Sequence, residues 1–279
     1  MTKAKELSEL ASAATVTSGN VALSGGLDVD GVTDLDVVDI DGAANFAADV
    51  TFANGADIIT ASAGTSNVRI GVNAGNSIES GGNYNVTVGD EAGTALTTGD
   101  GNVAIGFEAL STEDAHGNNV AVGYRALKTL NVGATAYNTA VGNDAGLSMT
   151  YGVNNTLVGG LAGDALTGSA DYSGGANNVA VGRAALGGDT LGSASVAIGF
   201  ETLLAQNFTS TTDTYNTAVG YRAGLLVETG LRSTFVGGQA GDAITTASDN
   251  TAVGYNALGG RSTAADGVAV GDSAGLVNN

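Results

Sequence analysis

The chain of 279 residues contains 45 glycines but no proline, cysteine or tryptophan, and its formal net charge is -19. Collagen would need abundant proline and a glycine at every third position, and 43% apolar against 13% charged residues disfavours disorder. The acidic charge disfavours nucleic-acid binding, and the lack of an apolar run of about 18 residues disfavours membrane insertion.

Residues 1–17 predict a short helix. They contain good helix formers and place Leu7 and Leu10 on roughly one face, but the segment is too short to be a stable helix alone. The same residues lack the apolar core of a secretory signal. We therefore expect this segment to pair with copies of itself or to dock onto another component rather than to direct secretion.

Residues 18–63 predict a β-rich shaft. Apolar and polar residues alternate between glycines, as in LDVDGVTDLDVVDIDG at 27–42, which favours short β-segments over a helix. Two acidic pairs, Asp28/Asp30 and Asp39/Asp41, precede glycines as they would in a calcium loop. The ligand spacing of such a loop is missing, so we interpret these carboxylates as solvated charges at strand edges.

Residues 64–279 carry an internal repeat. Twelve copies share the consensus Asn, Val or Thr, a small residue, Val or Ile, Gly, two variable residues, Ala, and Gly or Leu, as in NVAIGFEAL at 102–110 and NTAVGYNAL at 250–258. Most copies are 17 residues apart, which predicts one solenoid turn per copy with longer spacings bulging out as loops. The glycine at the fifth position, here called the pattern glycine, is Gly71, Gly89, Gly106, Gly123, Gly142, Gly159, Gly182, Gly199, Gly220, Gly237, Gly254 and Gly271.

The three residues before each pattern glycine predict a short strand. The first and third, which form the flanking columns, are Val, Thr or Ile and are expected to point into the solenoid. The second, the middle column, is expected to point outward, where its alanines would let another chain approach closely. We therefore predict that it faces the partners of a homotrimer, the alternative being a stripe covered by the chain's own loops. The predicted trimer-facing residues are Ala104, Ala121, Ala140, Leu157, Ala180, Ala197, Ala218, Phe235 and Ala252.

The asparagine that opens most copies predicts a structural ladder. Stacked asparagines at a corner can hydrogen-bond one another and the nearby backbone, and asparagine tolerates left-handed backbone angles. A ladder of ligand-binding side chains is the functional alternative. We call this position the asparagine column; its members are Asn67, Asn85, Asn102, Asn119, Asn138, Asn155, Asn178, Asn216 and Asn250, with Ser195, Ser233 and Gly267 in the other turns.

The repeats resemble two known groups of proteins. The NxxVGxxAG turns are similar to the head repeats of trimeric autotransporter adhesins, and NTAVGYxAL-type turns resemble those of bacteriophage tail and virion fibres. The resemblance covers about residues 67–277 and implies a left-handed parallel β-roll packed as a trimer. The stalk and membrane barrel of the adhesins are not recognisable here, which favours the phage fibre over the alternative of a bacterial adhesin head.

The predicted protein is therefore all-β and non-enzymatic. We expect a left-handed parallel β-roll of about twelve turns at 64–279, intertwined as a homotrimer, with an attachment segment at 1–17 and a shaft at 18–63. As a structural fibre it would be assembled in the host cytoplasm onto a virion. Leu7 and Leu10 would contact another virion protein, and the trimer would serve host attachment as a stiff spacer.

No catalytic, cofactor or metal site is predicted. The single histidine, His116, is interpreted as a solvated loop side chain. A hexapeptide acyltransferase is the remote enzymatic alternative, because VGYNAL fits its six-residue unit, but that unit occurs here once per turn instead of three times.

Contact with a host glycan or protein is predicted for aromatic side chains in three insertions. These insertions follow Gly123, Gly159 and Gly199, and surface loops are where binding residues concentrate. The candidate receptor-contact residues are Tyr137, Tyr172, Phe208 and Tyr215.

Overall fold

The computed structural model describes residues 62–260 and 265–276, together with the backbone of two short strands near the N-terminus. These two strands, Ala14–Thr17 (β1) and Asn20–Leu23 (β2), pair antiparallel within a unit spanning Met1–Asp57. Ala14–Thr17 is a strand, so the helix predicted over 1–17 does not extend to the end of that segment. Leu7 and Leu10 of the predicted attachment segment lie outside the described residues, as does the predicted shaft up to residue 61 apart from Asn20–Leu23.

The described residues of the second unit, which spans Ile58–Asn279, form an all-β solenoid. Twelve strands of three residues each form one parallel sheet in which every strand pairs with the strands of the neighbouring turns. A further pair, β10 (Gly192–Ser193) and β12 (Thr212–Asp213), joins two of the loops. The twelve strands of the sheet are β3 (Val68–Ile70), β4 (Val86–Val88), β5 (Val103–Ile105), β6 (Val120–Val122), β7 (Thr139–Val141), β8 (Thr156–Val158), β9 (Val179–Val181), β11 (Val196–Ile198), β13 (Thr217–Val219), β14 (Thr234–Val236), β15 (Thr251–Val253) and β16 (Val268–Val270).

The strand register confirms the repeat. Each middle-column residue pairs with the middle-column residue of the next turn, as Ala121 does with Ala140. The insertion after Gly159 leaves this alignment intact, because Leu157 still pairs with Ala180. The prediction of a parallel solenoid of about twelve turns is therefore correct, and the extra residues are accommodated outside the sheet.

The predicted facing of the strand columns is wrong. The middle column points into the solenoid, where Ala104, Ala140 and Phe235 are 0% exposed within a single chain. The flanking columns point outward, and Ile105 and Val141 keep 37% of their surface exposed. Small residues mark the inside because the walls of each turn lie close together there. The predicted trimer-facing residues are consequently all core residues: Ala104, Ala121, Ala140, Leu157, Ala180, Ala197, Ala218, Phe235 and Ala252.

The pattern glycines allow successive turns to stack. Gly142 has a φ of 144°, a conformation that a side chain makes costly. A Cβ at Gly142 would lie 2.5 Å from the carbonyl oxygen of Gly159 in the next turn. A Cβ at this position is therefore costly for two reasons, the φ angle and the contact with the neighbouring turn.

Two repeat positions share the space in the interior, so that a large side chain at one goes with a small side chain at the other. Five of the twelve turns combine a middle-column alanine with a buried leucine four residues after the pattern glycine, as Ala121 and Leu127 do. Where the middle column holds Leu157, that later position is glycine in its own turn and in the turn before. A Cβ at Gly146 or Gly163 would lie 2.9 Å or 2.8 Å from a methyl carbon of Leu157. The choice of Gly or Leu at the last repeat position is therefore set by packing.

Phe235 follows the same rule. It is fully buried, and a Cβ at Gly224 or Gly241 would come within 2.9 Å or 2.3 Å of its ring carbons. Each large middle-column side chain thus fills the space left by two glycines in adjacent turns.

The asparagine column forms the predicted hydrogen-bond ladder. The Oδ1 atom of Asn138 accepts from the backbone amide of Asn155 at 3.0 Å, and its Nδ2 donates to the carbonyl of Gly152 at 2.7 Å. Asn155 repeats both bonds, with the amide of Asn178 at 2.9 Å and the carbonyl of Gly175 at 2.9 Å. These side chains are at most 4% exposed along the column, so each one satisfies backbone groups that water does not reach.

Candidate interaction surfaces

The outward face of the twelve-stranded sheet, formed by the flanking columns, is a largely apolar surface in which threonine occupies the first column of five turns. The residue before each pattern glycine is Val or Ile in all twelve turns, and none of the twelve is buried in the single chain. Six of them are large exposed side chains, and they run the length of the sheet at both ends and in the middle. They are Ile70, Ile105, Val141, Ile198, Val236 and Val270. Large continuous apolar surfaces on soluble proteins mark sites of association.

Aromatic side chains follow the pattern glycines and stack between adjacent turns. The rings of Phe107 and Tyr124 are 5.4 Å apart, and the guanidinium of Arg125 lies 4.9 Å from the centre of the Tyr124 ring. Arg125 also pairs with Asp144, with Nε 2.8 Å from Oδ1, while Lys128 pairs with Glu108 in the neighbouring turn. These ladders hold turns together on the outside as the asparagines do on the inside.

The same arrangement occurs again five turns further along. Phe200 and Tyr221 stack with their ring centres 5.5 Å apart, and Arg222 pairs with Glu201 at 2.8 Å. The recurrence of AIGFE and VGYRA in the sequence is the signal for this pairing, which sequence reasoning missed. Tyr124, Tyr221 and Tyr255, which each follow a pattern glycine, are all exposed on the outside of the solenoid.

The predicted receptor-contact residues divide into two groups. Tyr137 and Tyr215 are about three-fifths exposed, and each precedes a residue of the asparagine column. Tyr172 is half-buried and packs against the core, and Phe208 is only 6% exposed. The prediction for Phe208 is therefore wrong, because its ring packs inward and is not available to a receptor. Tyr84, which sequence reasoning did not select, occupies the same repeat position as Tyr137 and Tyr215 and is equally exposed.

The insertion that contains Tyr172 is held by local hydrogen bonds. The Asp171 carboxylate accepts from the hydroxyls of Ser169 and Ser173 at 2.6 Å and 2.7 Å and from the amide of Ser173 at 3.2 Å. These bonds favour the charged form and lower the pKa of Asp171 to about 2. The loop is therefore organised around a carboxylate that stays ionised at neutral pH.

Glu113 is a buried carboxylate beside the histidine. Its Oε1 accepts from the amide of His116 and its Oε2 accepts from the amide of Val132, both at 3.1 Å. Burial raises the pKa of Glu113 above its ordinary value, and the two backbone hydrogen bonds oppose that shift. His116 is not the fully solvated side chain that the sequence predicts, because its Nδ1 atom is buried 3.7 Å from the Glu113 Oε1 atom.

Possible metal ligands converge at this place. The oxygen and nitrogen atoms of Glu113, Asp114 and His116 lie within 4.8 Å of one another, and no other such group of three occurs among the described residues.

Comparisons with protein-family models, curated proteins and solved structures find no match for this chain. Within residues 62–260 and 265–276 no helix has the length and hydropathy needed to cross a membrane. A function therefore has to be inferred from the surfaces and repeats of the chain itself.

Proposed function

We propose that the chain is a structural fibre protein of a bacteriophage virion, a left-handed β-roll that assembles as a homotrimer and serves as a stiff spacer for host attachment. The observation that carries the proposal is the apolar outward face of the twelve-stranded sheet. Its Val and Ile side chains run through every turn, and the described residues leave six of the twelve that precede a pattern glycine exposed and the other six only partly buried.

Sister subunits are the partner that fits this face best. A surface that repeats with every turn is complemented by another surface of the same repeat, which a second and third copy of the chain would supply. The number three comes from the resemblance of the turns to adhesin heads and phage fibres. The predicted homotrimer is thereby kept, but its interface moves from the middle column to the flanking columns.

The internal bonding suits a mechanical role. Strand hydrogen bonds run from turn to turn along the solenoid, and the asparagine column adds a second line of bonds in the same direction. The stacked aromatic pairs and the ion pairs between neighbouring turns form a third. The net charge of -19 would discourage non-specific adsorption to other acidic surfaces.

Sedimentation of the purified chain tests the oligomer. A trimer should have three times the 27.1 kDa mass of one chain. Val236→Glu, which places a charge on the outward face, should dissociate it, whereas Thr246→Glu, an exposed position off that face, should not. Sedimentation of the wild type as a monomer at micromolar concentration would contradict the proposal. So would a Val236→Glu protein that stays trimeric.

Labelling tests the placement on a virion. Antibodies against residues 62–260 should decorate fibres on particles from the natural source of the chain when viewed by electron microscopy. Deletion of residues 1–17 should abolish incorporation if Leu7 and Leu10 contact another virion protein. Incorporation without that segment would refute the attachment role while leaving the fibre proposal intact.

Recognition of a host glycan or protein is the second candidate function. The exposed tyrosines at one repeat position favour it, because tyrosine combines a flat apolar face with a hydroxyl and is enriched in binding surfaces. The double variant Tyr137→Ala/Tyr215→Ala should reduce binding of the isolated protein to host cells if these rings contact a receptor. The buried Phe208 is a poor control because its loss would disturb folding, so Tyr255→Ala serves instead. Unchanged binding of the double variant would contradict receptor contact by these rings, and the spacer role would remain as the only proposed function.

A further inference from the structure

Glu113 occupies a position that is apolar in most of the described turns. Seven residues after each pattern glycine from Gly71 to Gly237 the chain places a side chain inside the solenoid, and Glu113 is 0% exposed there. In neighbouring turns the same position holds Leu96 and Leu130. A carboxylate that replaces leucine in a closed core costs several kcal/mol unless a cation or strong donors accompany it. The complete set in the described turns is Ile78, Leu96, Glu113, Leu130, Met149, Leu166, Asp189, Gln206, Val227 and Ile244.

Asp189 shows how the same column accommodates a carboxylate by hydrogen bonding alone. Its Oδ2 accepts from the side-chain amide of Gln206 at 2.6 Å, and its Oδ1 accepts from the amides of Gly192 and Phe208 at 3.0 Å and 3.2 Å. Gln206 occupies the equivalent position one turn later, so Asp189 has a side-chain donor from its own column. Glu113 has only the two backbone amides and the imidazole beside it.

The imidazole of His116 is incompletely bonded. Its Nδ1 atom is buried and has no hydrogen-bond partner, although it lies 3.7 Å from the Glu113 Oε1 atom. The loop that carries it is fixed, because the carbonyl of His116 accepts from the Asn102 side chain at 3.1 Å and its amide donates to Glu113. The buried His116 Nδ1 atom and the buried Glu113 Oε1 atom therefore lie close together, and hydrogen bonds hold the backbone around them in place without any ligand.

We propose that Glu113, Asp114 and His116 bind a divalent transition-metal ion of the Zn²⁺ type. Imidazole nitrogen together with carboxylate oxygen suits Zn²⁺, Ni²⁺ or Cu²⁺, whereas Mg²⁺ and Ca²⁺ prefer oxygen ligands alone. The ion would neutralise the buried carboxylate and supply the missing partner of the His116 Nδ1 atom. Its role would be to hold residues 113–116 in one conformation where they leave the third turn of the solenoid.

The distances fit such an ion with one small movement. Ligand atoms about 2.1 Å from zinc can be at most about 4.2 Å apart, and about 3.4 Å apart at a tetrahedral angle. The 3.7 Å separation of Oε1 and Nδ1 falls inside that range. The full set reaches within 4.8 Å, so only the exposed Asp114 would have to rotate toward the ion. Water would complete the coordination on the solvent side.

Calorimetric titration of the full chain without an affinity tag tests the site. One Zn²⁺ per chain should bind with a dissociation constant of about 10 μM or lower, and Mg²⁺ and Ca²⁺ should not compete. His116→Gln should weaken zinc binding about tenfold or more, and Asp114→Asn should weaken it by less. Asp90→Asn removes the same charge at an exposed position in another turn and should bind zinc as the wild type does.

Zinc should also raise the unfolding temperature of the wild type but not that of His116→Gln. Circular dichroism of the zinc-free variants checks that each one is folded, and Asp114→Asn keeps the test available if His116→Gln is not. Failure of the wild type to bind Zn²⁺ at about 100 μM would overturn the proposal. Undiminished binding by folded His116→Gln, or equal loss in Asp90→Asn, would overturn it too.

Discussion

Replacement of one ladder asparagine by alanine tests whether the asparagine column holds the turns together. In Asn138→Ala the carbonyl of Gly152 loses a donor at 2.7 Å, and the amide of Asn155 loses an acceptor at 3.0 Å. Both groups are buried, and each unsatisfied buried backbone group costs about 1–3 kcal/mol. We therefore expect the free energy of unfolding to fall by about 2–6 kcal/mol.

Asn143→Ala, at an exposed position in the same turn, is the matched control and should change stability by less than about 0.5 kcal/mol. Denaturant unfolding at one fixed protein concentration measures the difference, and hydrogen exchange locates it. The Asn155 amide should exchange faster in Asn138→Ala only. Equal stability of the two variants, with the Asn155 amide protected in both, would refute the structural role of the ladder.

Three further changes probe the glycine, the core and the buried carboxylate. Gly142→Ala should lower the free energy of unfolding by about 3 kcal/mol or more, because its Cβ meets the backbone of Gly159. Gly160→Ala is the control and should be nearly neutral, because its Cβ would be 3.7 Å from the nearest atom. Similar melting temperatures of the two variants would contradict this explanation. Phe235→Ala should lower the free energy of unfolding, measured with denaturant, by about 3–5 kcal/mol. A decrease below about 1 kcal/mol would contradict the close packing of the ring against the two facing glycines. The pKa of Glu113 in the folded state is raised above 4.5, so just above that pH the folded chain keeps a proton on Glu113 that the unfolded chain has lost. The free energy of unfolding therefore falls as the pH rises from 4.5 through the folded-state pKa. Compared with Glu113→Leu in the presence of a chelator, the wild type should therefore be relatively more stable near pH 4 than near pH 7, and a pH-independent difference would exclude the raised pKa.

The sequence predicted the solenoid because its turns are periodic, but it did not predict which way the strands face. The period of two along Val103, Ala104 and Ile105 places the outer two on one side and the alanine on the other. Hydrophobicity alone assigns the larger residues to the core. Only the contacts within each turn reveal that the interior is too narrow for two β-branched columns and that Leu110 fills it from the opposite wall.

The candidate sites were harder to predict than the fold for a related reason. Phe208 and Tyr172 lie in insertions, where no repeat constrains the direction of a side chain, so exposure could not be read from the pattern. The environment of His116 depends on Glu113, whose burial becomes recognisable once its position is aligned with Leu96 and Leu130. That alignment was present in the sequence, but it lies beyond the nine residues that define the repeat.

The pairing of Leu157 and Phe235 with glycines restricts how the length of such a protein can change. Gly146 leaves room for Leu157 from the following turn and for Leu127 from the preceding one. Loss of that glycine turn alone would drive Leu157 into Leu127, whereas loss of both turns would bring two compatible turns together. In these regions a viable deletion or duplication should therefore comprise two turns, a step of about 10 Å at the usual strand separation.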